Sequence, residues 1–368
     1  MIPVVAVSVW CRSVRILWAV CGWGLGHATR SLPVLRRLAT EHELVVYAEG
    51  AAAALLAVEL GDRVRFVPAV PYPNIFGGRA LALHFFRRAP ALVRAMRAEH
   101  AEVGRLVVAE RIDRIVSDSR WGASSGCVPS FFISHHLKQL APRGLRAAES
   151  LTEAVTWRAI HGRFRRILVP DVAASGGLSG RLAHDLRFYA PDELRYVGLL
   201  SDVTPQPVAH DVDTLVALSG PEPSRSELEA RLLPALARLR GRTVVLRGTP
   251  GRDLPWTLPG VEAHPHARKP ERDRLFSAAR VIVSRAGYST VMDAARVGAR
   301  ALFIPMRGQT EQTYLADRLA DRGLTHVARE DRVDLERDVA VAAERPGLGG
   351  LVRNGTDPVA CVLDEILG

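Results

Sequence analysis

The sequence contains little cysteine and no long apolar run. Its four cysteines are scattered and form no Cys-x-x-Cys pair, at Cys11, Cys21, Cys127 and Cys361. This usage argues against a disulfide framework and a cysteine zinc site, and it is typical of proteins in a reducing cytoplasm. Because no stretch approaches the roughly 18 apolar residues of a membrane span, the sequence predicts no transmembrane helix. We therefore expect a cytoplasmic protein.

The N-terminus also lacks the features of a secretory signal peptide. Residues 1–10 are apolar, but no basic segment precedes them and no small-residue cleavage site follows. We expect the first structural element to open at Val14, with residues 1–13 as an extension. Whether that extension belongs to the native protein stays open.

Lysine is almost absent, so nearly all of the positive charge is arginine. The formal net charge is +10 and the sequence pI is about 10.1. Arginine pairs with phosphate through two hydrogen bonds, so a basic surface fits a phosphate-bearing substrate, a nucleic acid or an anionic membrane. The alternative is a bias in genome composition. Aromatic residues make up only 6% of the chain, and no RNA-binding signature accompanies them, so we expect no nucleic-acid partner.

The length of 368 residues suggests two domains, and short apolar runs alternate with helical patterns in both halves. The predicted strands are 14–20, 44–48, 64–67, 112–117, 128–134, 167–170, 215–219, 243–247, 280–284 and 301–304. The predicted helices are 29–39, 80–108, 225–239, 290–296 and 312–322. This rhythm predicts an α/β fold with two doubly wound, Rossmann-like domains that face a cleft. We place the domains at 1–200 and 214–368, with a linker at 201–213 and a last helix that returns to the first domain.

A glycine loop follows the first predicted strand, in the order Gly24-Leu25-Gly26-His27. Glycines before a helix allow close approach of a phosphate to free N–H groups. The third glycine of a dinucleotide site is missing, which disfavours that alternative. His27 would accept a hydroxyl proton near neutral pH, with Asp118, at the end of a later strand, as its orienting carboxylate. The alternative for His27 is a histidine that only packs or caps, and the alternative for Asp118 is a helix N-cap. His135 and His136 follow the next strand and would either line the pocket of the hydroxyl-bearing substrate or simply cap the end of that strand.

The strand ends of the second half carry small and polar residues suited to a nucleotide sugar. A glycine turn and hydroxyl groups at a helix start form a phosphate cradle, and amides with carboxylates suit ribose and sugar hydroxyls. The residues predicted to bind this nucleotide sugar, which would be the sugar donor, are Gly24, Gly26, Ser219, Gly220, Ser284, Arg285, Gly287, Ser289, Thr290, Asp293, Gln309, Glu311 and Gln312. A plain rigid turn is the alternative for Ser219 and Gly220.

Two further patterns have competing interpretations. Asp211-Val212-Asp213 matches the metal-binding Asp-x-Asp of some transferases, but it lies in the predicted linker, so we interpret it as a coincidence and predict no metal or other cofactor. Residues 76–79 and 81–97 mix aromatic and apolar side chains with arginines, which is compatible with peripheral contact with an anionic membrane. An amphipathic helix with a solvated basic face explains the same pattern.

From Val14 onward the chain resembles the GT-B nucleotide-sugar glycosyltransferases. It is most similar to the group around the bacterial N-acetylglucosaminyltransferase of the peptidoglycan precursor. Residues 284–298 and 303–314 carry the resemblance, and the glycine loop departs from it by having fewer glycines. The resemblance implies that Asp293 holds the donor ribose, that Gln312 contacts the donor, that the turn around Gly287 binds the diphosphate, and that His27 is the base. Asp118 corresponds by strand-end position to the carboxylate of a His–Asp pair in related plant-type transferases.

The expected function is transfer of a sugar from a nucleoside diphosphate, with UDP as the expected nucleotide, to an acceptor hydroxyl. The acceptor is a glycan, a lipid or a small molecule, including a lipid-linked or cell-envelope one. A nucleotide-sugar hydrolase or epimerase on the same fold, or a non-enzymatic nucleotide-binding protein, is the alternative. The donor sugar, the anomeric outcome and the oligomeric state stay open.

Overall fold

The computed structural model describes residues 13–73, 81–141, 146–249, 256, 258–352 and 357–368. Most of the N-terminal extension and the Phe76–Arg79 part of the predicted membrane contact lie outside these residues. Within the described ranges, no helix combines the length and the apolarity needed to cross a bilayer.

The first domain is built from seven strands and the helices that connect them. Its elements are β1 (Arg15–Val20), α1 (Leu25–Leu38), β2 (Glu43–Ala48), α2 (Gly50–Leu60), β3 (Arg65–Pro68), α3 (Leu81–Ala109), β4 (Arg114–Asp118), β5 (Ser130–Ile133), α4 (Arg146–Ile160), β6 (Arg166–Val169) and β7 (Leu194–Tyr196). All strand pairs are parallel, in the order β3-β2-β1-β4-β5-β6-β7. The central strands are apolar on both faces because helices cover both sides of a parallel sheet.

The second domain repeats this plan with six strands. Its elements are β8 (Val212–Ala217), α5 (Ser224–Leu236), β9 (Thr243–Leu246), β10 (Glu262–His264), α6 (Lys269–Ala278), β11 (Ala279–Ser284), α7 (Tyr288–Arg296), β12 (Arg300–Phe303), α8 (Thr310–Asp321), β13 (His326–Val327), α9 (Leu335–Ala343) and α10 (Pro358–Leu367). The sheet is parallel, in the order β10-β9-β8-β11-β12-β13. The prediction of two doubly wound domains is confirmed.

The connection between the domains ends earlier than the sequence suggests. Val212 is fully buried and pairs with Ala279, so β8 begins inside the predicted linker. Asp213 is therefore part of this strand, and it accepts a hydrogen bond of 2.8 Å from the backbone N–H of Arg242. Asp211 pairs with the same arginine at 2.9 Å. Both carboxylates lie at the amino end of β8, whereas ligands of such sheets bind at the carboxyl ends.

The last helix, α10, leaves the second domain and packs on the first. Val362 and Ile366 are buried in the same apolar core as α1 and β1. Glu365 pairs with Arg166 at 3.4 Å and with Arg195 at 3.2 Å, next to the edge of the first sheet. The chain thus crosses between the domains twice.

Direct contacts also join the domains across the cleft. The hydroxyl of Tyr288 donates to the carbonyl of Pro170 at 2.9 Å, and the hydroxyl of Tyr314 accepts from the backbone N–H of Arg181 at 2.8 Å. Gly180 has φ +53° and lies against Tyr314, so a side chain there would collide with the tyrosine hydroxyl. The carboxyl ends of both sheets therefore face each other closely.

Candidate functional site

His27 and Asp118 meet at the carboxyl edge of the first sheet. His27 lies in the first turn of α1, and Asp118 is the last residue of β4, which pairs directly with β1. The Nδ1 atom of His27 is 2.7 Å from Oδ1 of Asp118. Asp118 is fully buried, while the His27 side chain is 20% exposed. A carboxylate can thus orient an imidazole whose other nitrogen is available to a ligand.

Arg30 holds this carboxylate in place. It lies one turn after His27 on α1 and is buried, with Nε 2.7 Å from Oδ2 of Asp118 and Nη2 bonded to Oδ1. Ser31 adds a hydrogen bond of 3.2 Å to Oδ2. Burial alone would raise the pKa of Asp118, but the charge of Arg30 and the hydrogen bonds from Arg30 and His27 outweigh it and hold the pKa below its usual range. Asp118 is therefore ionised throughout the physiological range.

The proton positions on two histidines follow from these partners. Nδ1 of His27 lies 2.7 Å from Oδ1 of Asp118 and 3.0 Å from Nη2 of Arg30. We assign its proton to the shorter contact, because a carboxylate only accepts, and Nε2 then keeps its lone pair. A guanidinium only donates, so Nδ1 of His135 accepts from Nη1 of Arg30 at 2.8 Å. The neutral His135 ring therefore carries its proton on Nε2. The arrangement leaves His27 ready to accept a proton and His135 ready to donate one.

Glu311 accepts the hydrogen bond that Nε2–H of His135 donates. It lies at the start of α8 in the second domain, with Oε1 2.9 Å from Nε2 of His135 and Oε2 3.2 Å from Nδ1 of His136. The His135 ring also stacks on Tyr288, with ring centroids 3.9 Å apart. A continuous polar chain thus runs from His27 through Asp118, Arg30 and His135 to Glu311, and it crosses the cleft.

One group of possible metal ligands occurs among the described residues. The ligand atoms of His135, His136 and Glu311 lie within 4.8 Å of one another. A metal on Nε2 of His135 would have to displace the proton that Arg30 fixes there, and it would sit close to a guanidinium charge. This donor set fits a hydrogen-bonded bridge better than a metal site.

Two helix N-termini without side-chain caps lie close together beside His27. No side chain caps α1, whose N-cap Gly24 has φ +132°, and none caps α7, whose N-cap is Gly287. Helices α1 and α7 pack together, and a Cβ on Gly26 would lie 2.9 Å from Oγ of Ser289. Ser289 and Thr290 are half-buried in the first turn of α7. Free N–H groups and two helix dipoles create a positive potential that suits a diphosphate.

Asp293 lies one turn further along α7. Its Oδ1 accepts a hydrogen bond of 2.6 Å from the hydroxyl of Ser201, in the connection between the domains. Burial raises the pKa of Asp293 to about 6, and the nearby carboxylate of Asp202 acts in the same direction. The carboxylate already binds a hydroxyl group, which is the chemistry that a ribose would offer.

Several predicted donor-binding residues have structural contacts instead. Arg285 is buried and makes two bonds to Glu330, at 2.9 and 3.0 Å, so its charge is neutralised inside the second domain rather than offered to a diphosphate. Gln309 caps α8 by accepting from the N–H of Glu311. Gln312 accepts from the N–H of Met306 at 2.9 Å, which leaves its amide N–H groups for a ligand.

The remaining predicted residues lie at the carboxyl edge of the second sheet. Ser284 is buried, and its hydroxyl bonds to the carbonyl of Arg285. Ser219 and Gly220 follow β8, next to β11, and a side chain at Gly220 would meet no neighbour. Arg225, in the helix that follows this turn, is buried and paired with Glu222 and Glu229 at 2.7 Å each. The turn after β8 thus has room for a ligand, but Arg225 adds no unpaired positive charge to it.

Sequence reasoning missed Arg30, Ser201 and Tyr288. Arg30 follows His27 by three residues on one helix, so the spacing places both on the same face. That signal was available, but an arginine on a helix usually indicates a solvated face. Ser201 and Tyr288 contact residues far away in the chain, and no local pattern indicates those contacts.

The stability of the fold should depend on pH through His135. Burial, followed by the charge of Arg30, lowers the pKa of His135 to about 4, against the opposing effect of Glu311. The unfolded histidine has a pKa of about 6.5, so the unfolded chain binds more protons between these values and stability falls as the pH falls through this window. We expect His135 to account for a loss of about 2–3 kcal/mol between pH 7 and 4.5.

Urea unfolding of the wild type and of His135→Gln at both pH values measures this contribution. Glutamine keeps a donor for Glu311 but does not titrate, so the variant should lose less stability on acidification. Equal losses in the two proteins would contradict the assignment.

The comparisons with known proteins agree with this geometry. Residues 269–342, which span α6 to most of α9, match the Glycosyltransferase family 28 C-terminal domain. No curated protein matches the chain in sequence. The solved structure of the glycosyltransferase SnogD from Streptomyces nogalater matches 95% of this chain and 98% of its own, with a TM-score of 0.63 and 18% identity.

Two other solved structures share the architecture. MurG from Acinetobacter baumannii matches 96% of this chain and 99% of its own, with a TM-score of 0.57 and 16% identity. Spinosyn rhamnosyltransferase SpnG complexed with thymidine diphosphate gives the same coverage and identity, with a TM-score of 0.60. At such identities the likeness shows the fold, while the domain match carries the activity. The chain is therefore a glycosyltransferase with the GT-B fold, and residues 269–342 of its second domain match the C-terminal domain of glycosyltransferase family 28.

Proposed function

We propose that the chain transfers a sugar from a nucleoside diphosphate to an acceptor hydroxyl, with His27 as the base. The observation that carries this proposal is the His27–Asp118 contact of 2.7 Å at the edge where the uncapped ends of α1 and α7 converge. SpnG, which shares the fold, has been solved with thymidine diphosphate, and this supports a nucleoside diphosphate site here. UDP and thymidine diphosphate are both candidates for the leaving group.

The proposed step needs only proton transfer and one displacement. Nε2 of His27 takes the proton of the acceptor hydroxyl, and the ionised Asp118 stabilises the imidazolium that forms. The acceptor oxygen bonds to the anomeric carbon while the bond from that carbon to the diphosphate oxygen breaks. The electron pair leaves with the diphosphate, and the free N–H groups at the starts of α1 and α7 stabilise the developing charge.

Asp293 is the proposed ribose ligand, and donor binding should depend on it. Replacing Asp293 with Asn removes a charged acceptor, so the affinity for the preferred nucleoside diphosphate should fall about 10-fold or more. The pKa of Asp293 is about 6, so wild-type affinity should also decline as the pH falls from 7.5 to 5.

Isothermal titration with UDP and thymidine diphosphate at both pH values tests this. The diphosphate itself titrates in this range, and the Asn variant measures that part of the pH dependence. Wild-type and variant proteins with equal affinity and equal slopes would exclude a ribose role for Asp293. No binding of either nucleotide to folded wild type would count against the donor site as a whole.

His27 should be needed for chemistry and not for donor binding. We expect His27→Ala to lower kcat about 10²–10⁴-fold, because a positioned general base contributes about that much. The assay is release of nucleoside diphosphate, with acceptors found by screening hydroxylated compounds. Donor breakdown without any acceptor would instead favour the hydrolase alternative.

A matched control is His161→Ala, which removes a half-exposed histidine at the end of α4. It should leave kcat unchanged. A His27 variant with wild-type kcat would show that another group accepts the proton.

Activity should not require a divalent cation. Arg30 fixes the proton on Nε2 of His135. This disfavours metal binding by His135, His136 and Glu311, the one group of possible metal ligands among the described residues. Dialysis against EDTA should leave turnover unchanged, and added Mg²⁺ or Zn²⁺ should not raise it. Loss of turnover on chelation, with recovery on adding one of these ions, would establish a metal requirement.

Peripheral contact with an anionic membrane is a separate proposal. Arg87, Arg88, Arg94 and Arg97 are exposed on α3, as a basic membrane-facing surface requires. A solvated basic helix explains the same exposure. Flotation with liposomes of anionic lipid at low salt decides between the two.

A further inference from the structure

Three aromatic side chains meet at the carboxyl edge of the first sheet. Trp23, Tyr72 and Trp121 follow β1, β3 and β4. The rings of Tyr72 and Trp121 are nearly parallel, at 11° with centroids 6.2 Å apart. Trp23 is tilted against both, with centroids at 6.0 Å from Tyr72 and 5.6 Å from Trp121. We call these three residues the aromatic trio.

The trio flanks the proposed catalytic pair. Trp23 lies four residues before His27, in the loop that leads into α1, and Trp121 lies three residues after Asp118. The loops that carry Trp23 and Trp121 therefore adjoin the residues of the proposed catalytic pair. Trp23 and Trp121 remain partly exposed, whereas Tyr72 is only 7% exposed. The trio therefore offers aromatic surface beside the reacting position.

The loop after β4 serves both groups. Ser119 has φ +58°, a left-handed conformation that is uncommon outside glycine. This turn directs Asp118 to Arg30 on one side and Arg120 to Glu99 on the other. Backbone strain of this kind persists where the surrounding structure requires it, and it is common at functional sites. The positions of Asp118 and Trp121 are thus set by one short segment.

A buried ionic network supports Tyr72 and the loop that carries Trp121. Arg120 and Glu99 form a fully buried ion pair, and the hydroxyl of Tyr72 bonds to the same carboxylate. The guanidinium lies 4.4 Å from the centre of the Tyr72 ring, and Glu99 also accepts from the N–H of Gly122 at 3.0 Å. Burying two charges is expensive, and such a network holds its members in one arrangement. The network therefore fixes the Tyr72 ring and the backbone on both sides of Trp121, against which Trp23 packs.

A group of aromatic rings discriminates between acceptors by ring type. Aromatic pairs gain stability in offset and edge-to-face arrangements at centroid distances of about 4.5–7 Å, the range in which the trio already packs. An added aromatic ring continues this packing, whereas a saturated ring of equal size gains only the burial of its surface. The gain corresponds to about 3- to 10-fold in affinity.

We propose that the aromatic trio is the acceptor subsite, and that the acceptor is a phenol or alcohol whose hydroxyl is attached to a flat aromatic ring system. This inference rests on the proposed transfer at His27, because it assigns the substrate class of that site. The ring stacks on Trp23 and Trp121, and its hydroxyl reaches Nε2 of His27.

Binding of a matched pair of ring alcohols tests the proposal. The probes are 2-naphthol and decahydro-2-naphthol, which share a carbon skeleton and differ in aromaticity. Affinities are measured by ligand-observed NMR on the full chain with saturating UDP or thymidine diphosphate, whichever binds more tightly. We expect the wild type to prefer 2-naphthol about 3- to 10-fold.

The variants locate the preference in the trio. Trp23→Leu and Trp121→Leu should abolish it, whereas Trp121→Phe, which keeps a ring and disturbs the fold less, should retain most of it. Trp157→Leu is the control, because it also removes a partly buried tryptophan, one whose ring stacks on His161. It should leave the preference unchanged.

Equal affinity for the two probes would overturn the aromatic assignment, and so would a preference that survives in both leucine variants. If the wild type binds neither probe but binds the nucleotide, the inference fails while the donor site stands. Nucleotide binding that fails in folded wild type would instead remove the proposed function.

Discussion

Arg30 brings a permanent charge into the interior, and the active edge is arranged around it. Its guanidinium bonds both oxygens of Asp118 and one nitrogen of His135. Without a nearby cation, a carboxylate as buried as Asp118 would favour its neutral form and would no longer orient a histidine as an ion does. With Arg30 present, Asp118 is ionised, His27 donates Nδ1–H to it, and His135 is held with its proton on Nε2. One side chain thus determines the hydrogen-bonding state of residues on α1, β4 and the loop after β5.

A second buried arginine works on the other side of the same loop. Arg120 lies two residues after Asp118, the carboxylate that Arg30 holds. It pairs with Glu99 and packs over the ring of Tyr72. The positive φ of Ser119 separates the two networks, so that neighbouring residues face opposite directions. Buried ion pairs add little to net stability, because desolvation offsets their attraction, but removing one partner is costly. The loop therefore gains a fixed geometry more than it gains stability, which is the property that catalytic and binding groups need.

The sequence predicts the fold well because alternating β and α patterns leave few arrangements. It also predicts the neighbourhood of His27 and Asp118, since parallel strands end at one edge. Their contact depends on the pairing of β1 with β4, which no local pattern reveals. Short elements such as β7 and β10, of three residues each, are below what periodicity can detect. Arg285 shows that a local pattern can also predict a role that the folded chain does not support. An arginine after a strand suggests a phosphate ligand, but its partner Glu330 lies 45 residues away, and only the folded chain brings them together.

The bridge from Glu311 to His135 and His136 bears on how the cleft would open and close. Glu311 accepts from both rings, so protein groups occupy an acceptor that we assigned to the nucleotide-sugar donor. If a donor sugar binds Glu311, its hydroxyl groups replace these N–H groups as hydrogen-bond donors, so the number of hydrogen bonds to Glu311 does not increase. A ligand shifts a conformational equilibrium only by its difference in affinity for the two states. Closure would then depend less on Glu311 than on groups that gain a new partner, which are the free N–H groups of α1 and α7. The diphosphate, more than the sugar, is therefore the part of the donor that we expect to hold the two domains together.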